Sequence, residues 1–200
     1  MRFPAPPRPA AGFTLIEVLI SILVLAIGMF GAAALQLSAL RTTQQSSMHT
    51  AAMALAADLA DKMRMNTVAM SKTDTDNLFL KIDFLASTNA GAATTIDEPA
   101  KFCNLGAECS ADELAAFDIY EWKKRLKELL PTGRATVCRD SNAWQVLTSR
   151  YQWQCNVVGT NAPITVKIGW QGRNPDGSFE AGASADGPPQ VALIVAPYAE

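Results

Sequence analysis

Four cysteines are the residues of this chain with the most evident chemistry: Cys103, Cys109, Cys138 and Cys155. A zinc site is not expected, because no two cysteines form a C-x-x-C pair and the single histidine, His49, is distant in sequence. We expect no other metal and no cofactor. An even number of cysteines beyond an apolar N-terminal segment indicates disulfide bonds formed in an oxidising compartment. Three pairings are possible. We favour the local closures Cys103–Cys109 and Cys138–Cys155, and four buried free thiols are the alternative.

A second group with possible chemistry is the carboxylate of Glu17, which interrupts the apolar stretch GFTLIEVLISILVLAIGMF. After it, residues 18–40 contain no formal charge. As a helix rising about 1.5 Å per residue, this run can cross a hydrocarbon core of about 30 Å. Arg2 and Arg8 precede the run and favour a cytoplasmic N-terminus, although Arg41 follows it. The remainder of the chain would then face the periplasm, in agreement with disulfide formation.

A carboxylate in such a segment costs about 2.5–3.5 kcal/mol near the membrane centre and less toward the surface. Two interpretations of Glu17 follow from composition. Either it lies at headgroup level and stays hydrated, or it meets a cation inside an assembly. Cleavage between Gly12 and Phe13 would create such a cation, because the new α-amine of Phe13 lies only four residues away.

The stretch GFTLIEVLIS resembles the class III leader junction of type IV pilins and of type II secretion pseudopilins. The matching features are Gly12, the aromatic Phe13, the order Thr-Leu-Ile up to Glu17, and the uninterrupted apolar run that follows. The resemblance implies that a prepilin peptidase cleaves after Gly12 and that Phe13 is N-methylated. It also implies that Glu17 aligns an incoming subunit through the Phe13 amine of a neighbour.

One feature departs from the major pilins, which usually carry a proline near the middle of this helix. Residues 18–40 contain no proline and instead contain Gly28 and Gly31. Glycine weakens a helix by roughly 1 kcal/mol relative to alanine and also allows close helix packing. The pair therefore indicates either a loosened helix or a packing face of small residues.

Beyond the apolar run, the sequence predicts that the helix continues as an amphipathic segment to residue 70. Residues 71–109 are rich in small and polar residues and predict a loop with short structured pieces. Its DTDN sequence does not complete a calcium-loop pattern.

The amphipathic continuation of the first helix has a predicted apolar stripe, which consists of Met48, Ala52, Leu55, Leu59 and Met63.

A further helix is predicted after Ser110, where Glu113 would complete a capping box, and Pro131 and Gly133 would end it. Its predicted inner face is Ala115, Ile119, Trp122, Leu126 and Leu129.

From Arg134 onward, apolar and polar residues alternate in RATVCR, RYQWQCNVV and ITVKIGW, and VALIV reads as a short buried strand. Turns are predicted at 161–163 and in QGRNPDGS. In a hairpin of the first two strands, Cys138 and Cys155 would face each other, and Tyr151, Trp153 and Val157 would share the face of Cys155.

Together these elements predict an α+β fold. A long N-terminal helix, membrane-spanning in its first half, packs on a small antiparallel β-sheet with an additional helix, as the pilin resemblance also implies. We expect a cleaved leader at 1–12, a transmembrane assembly helix at 13–40, its amphipathic continuation at 41–70, and a periplasmic globular pilin domain at 71–200.

Three further stretches, LAIGMFGAAALQ, AADLADKMRMN and DIYEWKKRLKELLPTGRATV, resemble minor pilins of the PilV group, the type IV pilus modification proteins. This resemblance implies a role in the priming complex that initiates the filament and sits at its tip. The implied partners are other minor pilins, the major pilin, the prepilin peptidase, the inner-membrane assembly platform and a tip adhesin. A minor pseudopilin of type II secretion is the alternative.

Charge and motif content limit other functions. The formal net charge of −2, from 17 basic and 19 acidic residues, argues against nucleic-acid binding by bulk charge. The basic cluster formed by Lys123, Lys124, Arg125 and Lys127 leaves DNA or surface binding as an alternative. No nucleophile and base form a recognisable pair, so we do not expect an enzyme.

Overall fold

The computed structural model describes residues 12–86, 94–104, 106–130, 132–158, 162–172 and 187–195. Internal contacts divide the chain into two units, residues 1–44 and 45–200. Four predicted features lie wholly or partly outside the described residues: residues 1–11 of the predicted leader, the predicted helix-ending Pro131, residue 161 of the predicted turn at 161–163, and most of the predicted turn in QGRNPDGS.

The first helix, α1, extends from Leu15 to Met65 and contributes to both units. In the second unit its inward side is made of small and aliphatic residues, as the predicted stripe requires, and Met48 is half-buried against the same core. The buried residues are Ala52, Leu55, Ala56, Leu59, Ala60 and Met63.

The predicted continuation of this helix to residue 70 is interrupted at Asn66, whose backbone (φ −101°, ψ 67°) leaves the helical region. Its side chain accepts a hydrogen bond from the amide of Ala69 and donates one to the carbonyl of Ala111. An asparagine that satisfies free backbone groups in this way starts a new helix more readily than it continues an old one. A short helix, α2 (Thr67–Met70), follows.

The region predicted as a loop with short structured pieces, 71–109, contains a 3₁₀ helix (Leu78–Lys81) and a strand, β1 (Asp83–Leu85). Asn77 caps the 3₁₀ helix by accepting a hydrogen bond from the amide of Phe79. Phe79 and Phe84 are buried in the core. The polar composition of the region conceals this strand.

Helix α3 runs from Ala111 to Leu129 with Ser110 as its N-cap, and both hydrogen bonds of the predicted capping box to Glu113 are present. The predicted inner face is buried except at its end. Leu129 is 52% exposed and its place in the core is taken by Leu130, which is fully buried. The reason is that Leu130 leaves helical geometry (φ −128°, ψ 80°), which turns its side chain inward.

Five further strands follow: β2 (Arg134–Arg139), β3 (Trp144–Gln145), β4 (Arg150–Tyr151), β5 (Ile164–Gly169) and β6 (Val191–Val195). Four strands form an antiparallel sheet in the order β1-β2-β5-β6. Directly opposed residues share a face, so the row of Val137, Val166 and Leu193 lies on the core side. Strand β5 lies between β2 and β6, and every one of its residues is buried.

The predicted strand over RYQWQCNVV is wrong beyond its first two residues. Only Arg150 and Tyr151 are in a strand, and they pair with β3 in a separate two-stranded hairpin. Strand β2 has no free edge for this segment, because β1 and β5 occupy its two sides. Residues 152–158 therefore lack regular structure despite their alternation, and the shared face predicted for Tyr151, Trp153 and Val157 does not form as a strand face.

Candidate functional site

The predicted cleavage junction lies at the start of α1. Gly12 and Phe13 are not helical, and Phe13 is 83% exposed. Thr14 begins the helix, since its carbonyl accepts hydrogen bonds from the amides of Glu17 and Val18, at 3.1 and 3.3 Å. The Thr14 hydroxyl also accepts from the Glu17 amide, at 3.4 Å. The residues on either side of the predicted cut are thus exposed and lie outside the helix.

The role of Thr14 was missed from the sequence, although a signal for it is present. Thr14 and Glu17 have the T-x-x-E spacing of a capping box, of which only the threonine half is formed. A carboxylate in the first turn is also favoured by the partial positive charge of the helix N-terminus. This gives Glu17 a local stabilisation that is independent of assembly.

The Glu17 carboxylate is exposed and, within the described part of the chain, forms neither a hydrogen bond nor an ion pair. It lines a shallow groove on the helix side together with Phe13 and Ile22. The two residues whose charges the pilin resemblance brings together in assembly are thus adjacent and accessible.

The apolar residues between Phe13 and Leu40 are exposed around the whole helix, for example Ile16 at 61% and Phe30 at 78%. By length and composition α1 can cross a membrane, and its most apolar window has a mean hydropathy of 2.6. A helix that is apolar on every side requires lipid or other apolar helices around it. A Cβ added at Gly28 or at Gly31 would meet open space.

The four cysteines form two disulfides, Cys103–Cys109 and Cys138–Cys155, which are the local pairs favoured from the sequence. The first closes a loop that ends next to Ser110, the cap of α3. The second does not link facing residues of a hairpin as predicted, because the strand partner of Cys138 is Thr165. Instead it fastens irregular chain to β2, on the face of the sheet opposite the core.

The basic cluster on α3 does not form one surface. Arg125 forms an ion pair with Asp58 at 2.5 Å, and Lys127 donates to the carbonyl of Thr94 at 2.8 Å. Lys124 pairs with Glu121.

Lys123 is half-buried, with its ammonium 5.6 Å from the centre of the Phe84 ring, and this burial lowers the pKa of Lys123. These cations stabilise the domain internally, which weakens the argument for DNA binding at this helix.

The single histidine, His49, packs edge-on against Trp170 with ring centres 6.1 Å apart, and Trp170 donates to the side chain of Gln45. His49 therefore has a structural environment on the second part of α1.

Comparison with known proteins gives two matches. Residues 7–33 match the family model of the prokaryotic N-terminal methylation motif, and residues 34–120 match the Tt1218-like model, described as type IV pilin Tt1218. No match was found among curated proteins or among solved structures.

The two matches are consecutive and together extend over residues 7–120 of the 200-residue chain. They agree with a fold that combines a long apolar N-terminal helix, an additional helix and a small antiparallel sheet. The methylation motif implies processing by a prepilin peptidase, anchoring in the membrane and assembly with other pilins. The chain belongs to the type IV pilin family.

Proposed function

We propose that this pilin is a minor pilin of the PilV type, acting in the priming complex that initiates the type IV pilus and remains at its tip. The support is the resemblance of three stretches to that group, including the part of α3 around Trp122. The absence of proline from residues 18–40 also distinguishes the chain from most major pilins. Its partners are then other minor pilins, the major pilin, the inner-membrane assembly platform and a tip adhesin.

We further propose that cleavage occurs after Gly12 and that Phe13 carries the N-methyl group. Residues 1–12 are then the leader, 13–40 the membrane and assembly helix, 41–70 its continuation, and 71–200 the periplasmic domain. The observation that carries the proposal is the Glu17 carboxylate, which is exposed and lacks a partner among the described residues. In a filament the Phe13 amine of a neighbouring subunit supplies the missing positive charge.

The proposal is tested by Glu17→Val in cells that depend on this pilin for filament initiation. Because the substitution leaves Gly12 and Phe13 unchanged, the variant inserts and is processed normally, whereas the yield of surface pili falls at least tenfold. Ser21→Ala is the matched control. This substitution removes the Ser21 hydroxyl, which lies one turn away and donates to the backbone carbonyl of Glu17. It leaves the Glu17 carboxylate in place.

Normal piliation with processed Glu17→Val would overturn the role assigned to Glu17. If deletion of the whole chain leaves pili intact but abolishes protein secretion, the chain is a pseudopilin and the priming proposal is wrong.

A further inference from the structure

The hairpin of β3 and β4, residues 144–151, exposes large apolar side chains that the fold does not use. Val146 is 78% exposed and Leu147 is 94% exposed, at the tip of the hairpin. Neither lies in the described core, and both belong to the second unit, well separated in sequence from the apolar segment of α1. Adjacent aliphatic side chains this exposed on a folded domain are candidates for an interaction surface.

The hairpin tip is held in one conformation by local hydrogen bonds. The amide of Ser149 donates to the carbonyl of Val146 at 3.3 Å, and Ser149 adopts a left-handed backbone (φ 50°) that closes the turn. The Thr148 hydroxyl bonds to the Gln145 side chain at 3.0 Å. The exposure of Val146 and Leu147 is thus built into a defined turn.

The base of the hairpin is fastened to the sheet. The amide of Gln152 donates to the carbonyl of Ala143 at 3.0 Å. Beyond it, the Cys138–Cys155 disulfide attaches the segment to β2. The tip therefore projects from an anchored base.

From its tip to its base, the hairpin presents first aliphatic, then polar and basic, then aromatic side chains. The aliphatic tip comes first, then the pair of Gln145 and Arg150, then the pair of Trp144 and Tyr151, whose rings meet edge-on at 5.0 Å. At about 3.4 Å per residue, the tip extends up to about 7 Å beyond the first pair. Apolar groups that bind a bilayer surface insert about 5–10 Å, with aromatic and basic residues at headgroup level.

The charge of this region agrees with an anionic surface. Residues 141–158 contain one charged side chain, Arg150, and no acid. Arg150 is exposed and forms no ion pair within the described part of the chain. The nearest acid in sequence, Asp140, is fully buried and paired with Lys167. Phosphate headgroups would meet the exposed guanidinium of Arg150, and the hairpin itself carries no carboxylate.

We propose that the 144–151 hairpin is a lipid-contacting element, which places Val146 and Leu147 in the acyl boundary of an anionic phospholipid bilayer and Arg150 against its phosphates. A convex tip suits a deformable lipid surface, whereas a protein partner would have to supply a matching apolar groove. The proposal does not depend on the priming role.

The test uses the full chain with its N-terminal helix embedded in nanodiscs of zwitterionic phosphatidylcholine. These are mixed with separate vesicles of phosphatidylcholine and phosphatidylglycerol, and co-flotation with the vesicles is measured. Leu147→Asp reduces the bound fraction at least tenfold. Arg150→Gln reduces it severalfold on anionic vesicles and has little effect on purely zwitterionic ones.

Val68→Asp is the matched control, because Val68 is an exposed apolar residue (61%) elsewhere in the same unit. It leaves flotation unchanged, and near-ultraviolet circular dichroism checks that each variant is folded. Flotation of the wild type no greater than that of empty nanodiscs, or equal binding by Leu147→Asp and Val68→Asp, would overturn the proposal. If vesicles are not bound but Leu147→Asp lowers pilus yield, the hairpin binds a protein neighbour and the lipid assignment is wrong.

Discussion

Lys167 and Asp140 form an ion pair with an Nζ–Oδ2 distance of 2.5 Å, and both side chains are completely buried. Lys167 projects from the centre of the sheet, while Asp140 follows the last residue of β2. Lys167 also donates to the carbonyls of Gln154 and Trp153, and Asp140 accepts from the amides of Asn142 and Asn156. The pair therefore holds the chain before and after the β3–β4 hairpin on the outer face of the sheet.

Asp140→Ala is expected to lower the free energy of unfolding by about 3–5 kcal/mol, because it leaves the Lys167 ammonium buried without its counter-charge. Urea denaturation of the full chain in detergent, followed by tryptophan fluorescence, measures the effect. The control is Asp61→Ala, which breaks an exposed pair with Arg64 and is expected to cost less than about 1 kcal/mol. Equal effects of the two substitutions would contradict this account of the buried pair.

The two disulfides are expected to differ in their contribution to stability. Cys138 and Cys155 are 17 residues apart and Cys103 and Cys109 only six, so the first bond removes more conformational freedom from the unfolded chain. Replacing both cysteines of the longer loop by serine should lower the free energy of unfolding by about 3 kcal/mol. The same replacement in the shorter loop should lower it by about 1 kcal/mol less. Thermal unfolding under non-reducing conditions measures both losses of stability. A larger loss of stability for the shorter loop than for the longer one would contradict the prediction.

The capping box of α3 makes stability depend on pH. The amide and hydroxyl of Ser110 bond to Glu113, and the amide hydrogen bond is the main reason why the pKa of Glu113 lies below its ordinary value of 4.5. The stabilisation from the charged carboxylate is therefore present above pH 4.5 and is lost as the pH falls below it.

Melting temperatures measured above and below pH 4.5 test this dependence of stability on pH. Ser110→Ala lowers stability by about 1 kcal/mol at pH 7. Glu113→Gln gives a shallower acid dependence than the wild type, and an unchanged acid dependence in Glu113→Gln would exclude this role. Glu108→Gln is the control, because Glu108 is exposed and takes no part in the cap.

Sequence patterns predicted the elements whose signals are local. The capping box at Ser110 identified the start of α3, and the alternation in RATVCR and ITVKIGW identified two adjacent strands of the sheet. The N-terminal methylation motif was recognisable because a carboxylate at a fixed position in an apolar run is itself a local signal.

The wrong predictions depend on distant partners. The alternation in RYQWQCNVV is typical of a strand, but β1, which the polar composition around it conceals, already occupies the other edge of β2. Leu129 and Leu130 are equally apolar, and only the backbone at the helix end decides which one enters the core. The buried charge of Lys167 lies in a strand that reads as half-exposed, and its partner Asp140 gives no signal in sequence.

The central claim, that this pilin is processed at Gly12 and enters the pilus, is tested most directly by mass spectrometry of sheared surface filaments and of washed membranes. The diagnostic tryptic peptide begins at N-methylated Phe13 and ends at Arg41, since no lysine or arginine lies between them. We predict this peptide in the filaments. An unprocessed N-terminus in cells with an active prepilin peptidase, or a processed peptide confined to the membranes, would contradict the claim.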